Sequence, residues 1–133
     1  MSILDYSDAG LDNIPEETTV EAGEEYKLNI VSILSGRQDK NGDDYIMPFF
    51  EVVGEPLCKE FGDFILVPNP DKMSEKELVK AQRQLGQFLA AFKIDPKFDP
   101  DEEQGTEGWA ILGLGTGKDG QPQNKINKYM VGH

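Results

Sequence analysis

The chain has 133 residues and a formal net charge of −12, from 25 acidic and 13 basic residues, and this length fits one domain with a single hydrophobic core. A single cysteine, Cys58, and a single histidine, His133, exclude an internal disulfide framework, a cysteine-based zinc site and a buried catalytic histidine. No apolar run approaches the roughly 20 residues of a membrane span. We therefore expect a cytoplasmic protein without membrane association, metal or cofactor.

The acidic excess is concentrated in two segments. Residues 1–26 hold eight acids and no Lys or Arg, and residues 95–107 hold six acids against Lys97 alone. The remainder has 12 basic and 11 acidic residues, so it can still form a locally basic surface, because exposed charges are screened beyond about 10 Å. The simplest interpretation of the acidic segments is a solvated tail and loop. The functional alternative is a mobile arm that competes with nucleic acid or recruits a basic partner.

Residues 1–22 predict an acidic, weakly structured N-terminal arm, followed by a domain over residues 23–133. Apolar residues alternate with polar ones along Glu25–Ser35, which predicts the first strand. In this pattern three residues point into the core and Lys27 and Asn29 point outward. The three inward residues are Leu28, Ile30 and Leu34.

Two more strands follow the first. Asn41-Gly42 predicts a hairpin, since both residues tolerate a positive φ, and the aromatic and β-branched run Asp44–Val53 predicts the second strand. Pro48 lies inside that run and indicates an edge position or a bulge, because proline cannot donate to a β-ladder. A third strand is predicted over Glu60–Val67.

The next segment has helical spacing. Ser74 and Glu77 form a capping box, and apolar residues recur every three or four positions over residues 74–93, which predicts an amphipathic helix. Gly86 lies inside this helix, and its small size would permit close approach to a neighbouring strand.

An acidic loop over 95–107 precedes a fourth strand at Trp109–Leu114 and a fifth at Asn124–Val131. Five strands with one helix between the third and the fourth is the element order of the OB-fold, a partly closed barrel. We therefore predict a mainly β chain that forms a five-stranded OB-fold-like barrel with one α-helix between strands 3 and 4.

Four segments carry a resemblance to known proteins: EEYKLNIVSILSG, DYIMPFFEVVGEP, LGQFLAAFKI and GWAILGLGTGKDGQPQNKINKYM. Together they resemble phage-encoded single-stranded-DNA-binding proteins of OB fold, over roughly residues 24–131. The resemblance implies a sequence-nonspecific protein that protects single-stranded DNA in phage replication, recombination or repair in the host cytoplasm. Phage or host replication proteins would then be partners of the acidic arm, although such proteins often carry their acidic tail at the C-terminus.

Binding a single strand requires cationic groups for the phosphates and flat side chains on which bases stack. OB-folds provide these on strands two and three and on the loops after strands one and four. Alternation predicts that Tyr45 and Phe49 point outward from the second strand, and that Tyr129 does so from the last. The candidate DNA-binding residues are Lys27, Asn29, Arg37, Lys40, Tyr45, Phe49, Trp109, Lys118, Lys125, Asn127 and Tyr129.

Simpler interpretations stand beside these assignments. Phe49 can belong to the core, Trp109 can be a buried anchor beside the helix, and Arg37 can merely balance neighbouring acids. We expect no enzymatic activity, because no acid is predicted in an apolar setting that would raise its pKa. The alternative function is an acidic module that mimics DNA or binds a basic protein, and a third is an assembly barrel without a ligand.

Overall fold

The computed structural model describes residues 3–5, 7–11, 14–39 and 42–133. It contains six strands and one α-helix within these ranges, together with short 3-10 turns at Ser7–Ala9 and Pro100–Glu102. The elements are β1 (Glu25–Arg37), β2 (Asp44–Val52), β3 (Phe61–Gly62), β4 (Ile65–Leu66), α1 (Glu75–Phe92), β5 (Glu107–Thr116) and β6 (Pro122–Tyr129).

The strands form one antiparallel sheet in the order β3-β2-β1-β5-β6, with β4 also paired to β2. The first and last strands of this order, β3 and β6, are joined by hydrogen bonds from β6 to the residues just before and just after β3. The Gln123 side chain donates to the carbonyl of Glu60 at 3.3 Å, and the Tyr129 hydroxyl donates to the Asp63 carboxylate at 2.5 Å. The sheet is therefore a nearly closed barrel, and the predicted OB-fold-like architecture is confirmed.

The position of the helix differs in detail from the prediction. The predicted third strand is divided into β3, which pairs with β2 at Phe49 and Phe50, and β4, which pairs with it at Tyr45 and Ile46. Pro48 lies opposite the interruption; its carbonyl accepts a hydrogen bond from the Asp63 amide at 3.0 Å, but it has no N–H to return one. Because the third strand is split, α1 follows the fourth strand of the structure.

Helix α1 begins and ends as its sequence predicts. The Ser74 side chain accepts a hydrogen bond from the Glu77 amide at 3.2 Å, and this cap satisfies an amide that has no partner within the helix. On its apolar face, Phe88 and Phe92 pack against Phe50 of β2, with ring centroids 6.2 and 5.4 Å apart. The helix thus closes one end of the barrel with aromatic side chains.

A bulge in β1 changes which residues enter the core. Ile30 pairs with Phe50 and Ser32 pairs with Phe49, so Val31 is an extra residue on β1. An extra residue reverses the alternation of the strand beyond it. Leu28 and Ile30 are buried as predicted, but beyond the bulge Ile33 is the buried residue. The predicted inward position of Leu34 is wrong, because this side chain is 55% exposed.

A second bulge has the same effect in β6. Ile111 pairs with Lys128 and Leu112 pairs with Ile126, which leaves Asn127 as the extra residue. The predicted outward position of Tyr129 is therefore wrong. Its side chain is only 4% exposed, and its ring centroid lies 5.6 Å from that of Phe88 in the core.

The segment before β1 is hydrogen-bonded across the remaining gap of the barrel. The Thr18 amide donates to the carbonyl of Leu57 at 2.8 Å, and the Lys59 amide donates to the carbonyl of Thr18 at 2.9 Å. The division of the chain into an arm over 1–22 and a domain over 23–133 stays a prediction. Across the described ranges, no helix has both the length and the apolarity needed to cross a bilayer.

Candidate nucleic-acid interface

Aromatic and apolar side chains cover the outer surface of β2. Residues of this strand alternate strictly, with Ile46, Phe50 and Val52 buried and Tyr45 and Phe49 only half-buried. The predicted outward direction of Tyr45 and Phe49 is therefore confirmed. We call this surface the ring face, and define it by Leu34, Tyr45, Met47, Phe49 and Phe64.

Two glycines on neighbouring strands allow these side chains to lie close to the sheet. A Cβ at Gly36 of β1 would lie 2.8 Å from the Tyr45 hydroxyl, and a Cβ at Gly62 of β3 would lie 3.0 Å from the Phe49 ring. The first distance is closer than real Cβ contacts and the second is tighter than most of them, so a larger residue at either position would require the ring to shift. The ring face consequently presents half-exposed aromatic surfaces rather than projecting side chains.

Phe64 was not among the residues predicted from the sequence. It lies in the interruption between β3 and β4, is 41% exposed, and its ring centroid is 4.9 Å from that of Tyr45. The sequence indicated one continuous strand over this segment, so its interruption was not foreseen. The proline opposite it, Pro48, was the available signal.

Two of the predicted cations are paired with acids. Arg37 contacts the Asp44 carboxylate at 3.0 Å, and Lys27 contacts Glu107 at 3.3 Å. Asn29 donates to the Glu51 carboxylate at 2.7 Å. These exposed pairs contribute little to stability, but they reduce the positive charge available for a phosphate. Lys40 lies outside the described residues.

Trp109 lies on the outer surface of β5, opposite Lys27 of β1. It is half-buried, and the imidazole ring of His133 stacks on it with a centroid distance of 4.0 Å and an interplanar angle of 8°. The neighbouring Gly108 faces inward against Phe92. The indole is therefore partly covered by the last residue of the chain rather than by the helix.

Three other predicted residues are exposed along the hairpin of β5 and β6. Lys118 lies in the turn, and Lys125 and Asn127 lie on β6. Tyr129, by contrast, cannot stack on a base, because its ring is in the core. Of the predicted set, the structure brings Tyr45 and Phe49 together on one surface, whereas the Arg37–Asp44 pair lies on the opposite face of the strands, the face of Ile33 and Ile46.

The core residue Tyr129 donates a hydrogen bond to the partly buried carboxylate of Asp63. Burial raises the pKa of the Asp63 carboxyl, against the opposing effect of hydrogen bonds from Tyr129 and Gln84. Burial, together with the negative charge of Asp63, raises the pKa of Tyr129 far above its ordinary value, so this hydroxyl stays protonated and donates. The expectation that no acid lies in a setting that raises its pKa is wrong for Asp63, because the sequence does not show its contact with β6.

A groove beside this pair is lined by cations and amides, none of which except Asn127 is among the predicted site residues. It lies between α1 and β6 and has a volume of about 420 Å³. We call it the basic groove. Its polar walls are Lys80, Arg83, Gln84 and Gln87 of α1 with Asn127 and Lys128 of β6, and its floor includes Asp63 and Tyr129.

A larger groove of about 930 Å³ carries the opposite charge. Among the described residues that line it, Lys59 is the single cation, and exposed Val53 and Leu57 lie between the acids. We call it the acidic groove, and its acids are Glu17, Glu51, Glu55, Glu60, Glu107 and Asp119. In the part of the chain that the structure describes, no group of three or more acids, histidines or cysteines is arranged to hold a metal ion.

Comparison with known proteins gives no match to any family model or to any curated protein. The similarity to phage single-stranded-DNA-binding proteins therefore rests on the sequence segments themselves and stays a prediction.

Proposed function

We propose that the protein binds single-stranded DNA without sequence preference, through base stacking on the ring face. One observation carries the proposal. Tyr45 and Phe64 form a half-exposed aromatic pair, with centroids 4.9 Å apart, on the outer surface of a barrel of OB topology. This surface of the second and third strands is where OB-folds bind oligonucleotides, and every base has an aromatic face that can stack on such rings.

The proposal also accounts for the separation of core and surface aromatics. Phe50, Phe61, Phe88, Phe92 and Tyr129 already fill the barrel. Tyr45, Phe49 and Phe64 are additional to this core and remain in contact with solvent. Exposed aromatic groups concentrated on one surface are typical of a binding site.

The direct test is binding of fluorescent oligo-dT to the full chain, with Tyr45→Ala and Phe64→Ala as variants. Each lost stacking partner should weaken binding by about 1–3 kcal/mol, which is about 5- to 150-fold in Kd. Leu114→Ala is the matched control, since Leu114 is an exposed apolar residue, 46% exposed, on β5 outside the ring face. Absence of oligo-dT binding at low salt would refute the proposal, as would equal losses in all three variants.

The predicted competition between the acidic arm and DNA is best tested by removing charge. Deleting residues 1–22 would also remove Thr18 and Val20, whose backbones bond to Leu57, Lys59 and Asn124. The variant Glu16→Gln with Glu17→Gln changes two exposed side chains and leaves those bonds intact. If the arm competes with DNA, this variant binds oligo-dT more tightly than the parent chain at low salt.

The acidic groove supports a second candidate function, binding of a basic protein segment. Its carboxylates surround the exposed apolar residues Val53 and Leu57, an arrangement that suits a peptide with both Lys or Arg and apolar side chains. A Lys- and Leu-containing peptide should bind the parent chain and lose affinity in the Glu55→Gln, Glu60→Gln double variant. This result, without any oligo-dT binding, would favour the acidic module over the DNA-binding protein.

A further inference from the structure

The basic groove contains cations that form no ion pair with any acid among the described residues. Among the described residues, ion pairs within 4.0 Å join Lys27 to Glu107, Arg37 to Asp44 and His133 to Glu25. Lys80, Arg83 and Lys128, which wall the basic groove, take part in none of these. All three are exposed to solvent.

The helix sequence keeps acids away from this groove. Glu75 and Glu77 lie in the first turn of α1, and no Asp or Glu occurs between residues 78 and 94. Lys80 lies three and four residues before Arg83 and Gln84, and Gln87 lies four and three residues after them, so all four share one face of the helix. That face is the wall of the groove toward β6.

One acid, Asp63, lies on the floor of the basic groove. Its carboxylate accepts the Tyr129 hydroxyl at 2.5 Å, and a hydrogen bond from Gln84 also acts on it. The Asp63 carboxylate thus already accepts hydrogen bonds from Tyr129 and Gln84. The charged groups of Lys80, Arg83 and Lys128, by contrast, are exposed to solvent. The walls offer donors from three cations and from the amides of Gln87 and Asn127, and phosphate oxygens accept hydrogen bonds of this kind.

The basic groove adjoins the ring face. The Gln84 side chain donates to the carbonyl of Phe64 at 3.1 Å, while the ring of the same Phe64 packs on Tyr45. Phe64 therefore belongs to the ring face through its side chain and contacts a wall of the basic groove through its backbone. A strand whose bases stack on Tyr45 and Phe64 can therefore continue onto the wall of the basic groove that Gln84 belongs to.

We propose that the basic groove binds the phosphates of the same DNA strand whose bases stack on the ring face. This inference rests on the proposed function and adds to it a phosphate site on α1 and β6. It also explains how a chain of net charge −12 can bind a polyanion, since the cations needed are gathered on one surface without acidic partners.

The test compares the salt dependence of oligo-dT binding in two triple variants of the full chain. The groove variant is Lys80→Gln, Arg83→Gln, Lys128→Gln. The control variant is Lys72→Gln, Lys93→Gln, Lys97→Gln, which makes the same change in net charge at exposed positions outside the groove. Each lost phosphate contact should lower the slope of log K against log salt by about 0.7, so the groove variant should lose about 2.

The outcomes separate the two proposals. A slope lowered in the groove variant and unchanged in the control supports the phosphate site. If the parent chain binds oligo-dT and Tyr45→Ala weakens it, but both triple variants keep the parent slope, the phosphate site is refuted and the ring face stands. If the parent chain does not bind oligo-dT at low salt, the proposed function fails and this inference fails with it. Circular dichroism of each variant verifies that the fold is retained.

Discussion

The side-chain amide of Asn124 pairs with the backbone of Val20 much as a residue of a neighbouring strand would. The Val20 N–H donates to Asn124 Oδ1 at 2.9 Å, and Asn124 Nδ2 donates to the Val20 carbonyl at 3.0 Å. The same Nδ2 donates to the carbonyl of Gly113 at 3.1 Å. With 3% of its surface exposed, Asn124 joins the segment before β1 to β5 and β6.

Replacing this side chain should destabilise the fold. Asn124→Ala leaves the polar groups of Val20 and the carbonyl of Gly113 without these partners, and a buried unsatisfied group costs about 1–3 kcal/mol. We expect the free energy of unfolding, measured in urea, to fall by about 2–3 kcal/mol. Asn127→Ala, an exposed change on the same strand, should alter it by less than about 0.5 kcal/mol. Equal effects of the two variants would contradict this role of Asn124.

The raised pKa of Asp63 predicts a specific pH dependence of stability. The pKa of Asp63 is higher in the folded state than in the unfolded chain, so between these two pKa values the folded state binds the proton more tightly. This contribution to the free energy of unfolding is lost as the pH rises through the folded-state pKa. The parent chain should therefore lose stability relative to Asp63→Asn as the pH rises from about 4 to about 8, by about 1.4 kcal/mol per unit of pKa difference.

The quantity compared is the difference in the free energy of unfolding between the parent chain and the variant. Contributions of groups that the substitution does not affect cancel in this difference. Asp71→Asn, at an exposed turn, is the matched control for the loss of one carboxyl group. Urea unfolding at each pH measures the free energies. A relative stability of the parent that rises with pH would mean that Asp63 is stabilised as the carboxylate.

Gly86 offers a simple gain in stability. The prediction of close approach to a strand at this position is wrong, because a Cβ at Gly86 would meet no atom within 4 Å. Gly86→Ala should therefore stabilise the protein by about 0.5–1 kcal/mol, through the higher helix propensity of alanine. Ala90→Gly, at an exposed position of the same helix, should produce a loss of similar size in thermal unfolding. Destabilisation by Gly86→Ala would show that the helix requires glycine there for another reason.

The stacking of His133 on Trp109 should be visible in fluorescence. Trp109 is the single tryptophan, so its emission reports on this contact without interference from other indoles. His133→Ala uncovers one face of the ring and should shift the emission to longer wavelength and increase quenching by acrylamide. Val131→Ala, in the same terminal segment and without a ring contact, is the control. Identical spectra for the parent and His133→Ala would show that the stack does not persist in solution.

Periodicity predicted most of the strands and the helix, the capping box at Ser74 predicted where the helix begins, and the order of the elements predicted the barrel. The alternation in Asp44–Val52 is unbroken, so both faces of β2 were assigned correctly. In β1 and β6 the same reasoning failed beyond Val31 and Asn127, because a single bulged residue reverses every later assignment. Neither bulge carries a Gly or Pro that would have marked it in the sequence.

The candidate site was harder to predict because it depends on contacts between distant segments. Phe64 joins the ring face through its contact with Tyr45, and Lys128 meets Lys80 and Arg83 only where β6 crosses the helix. A sequence pattern within one segment indicates which side chains share a face. Such a pattern does not indicate which face of another segment packs opposite those side chains. That arrangement is set only when the barrel closes.

The bonds around Thr18 and Asn124 have a kinetic consequence for Cys58. Its thiol is buried at this junction, with the sulfur 3.6 Å from Asn124 Oδ1 and 3.7 Å from the Lys59 carbonyl oxygen, and burial raises its pKa. An alkylating reagent attacks an accessible thiolate, so modification must await a transient separation of these segments. The urea dependence of the alkylation rate then distinguishes detachment of the junction alone, which exposes little surface, from opening of the entire barrel.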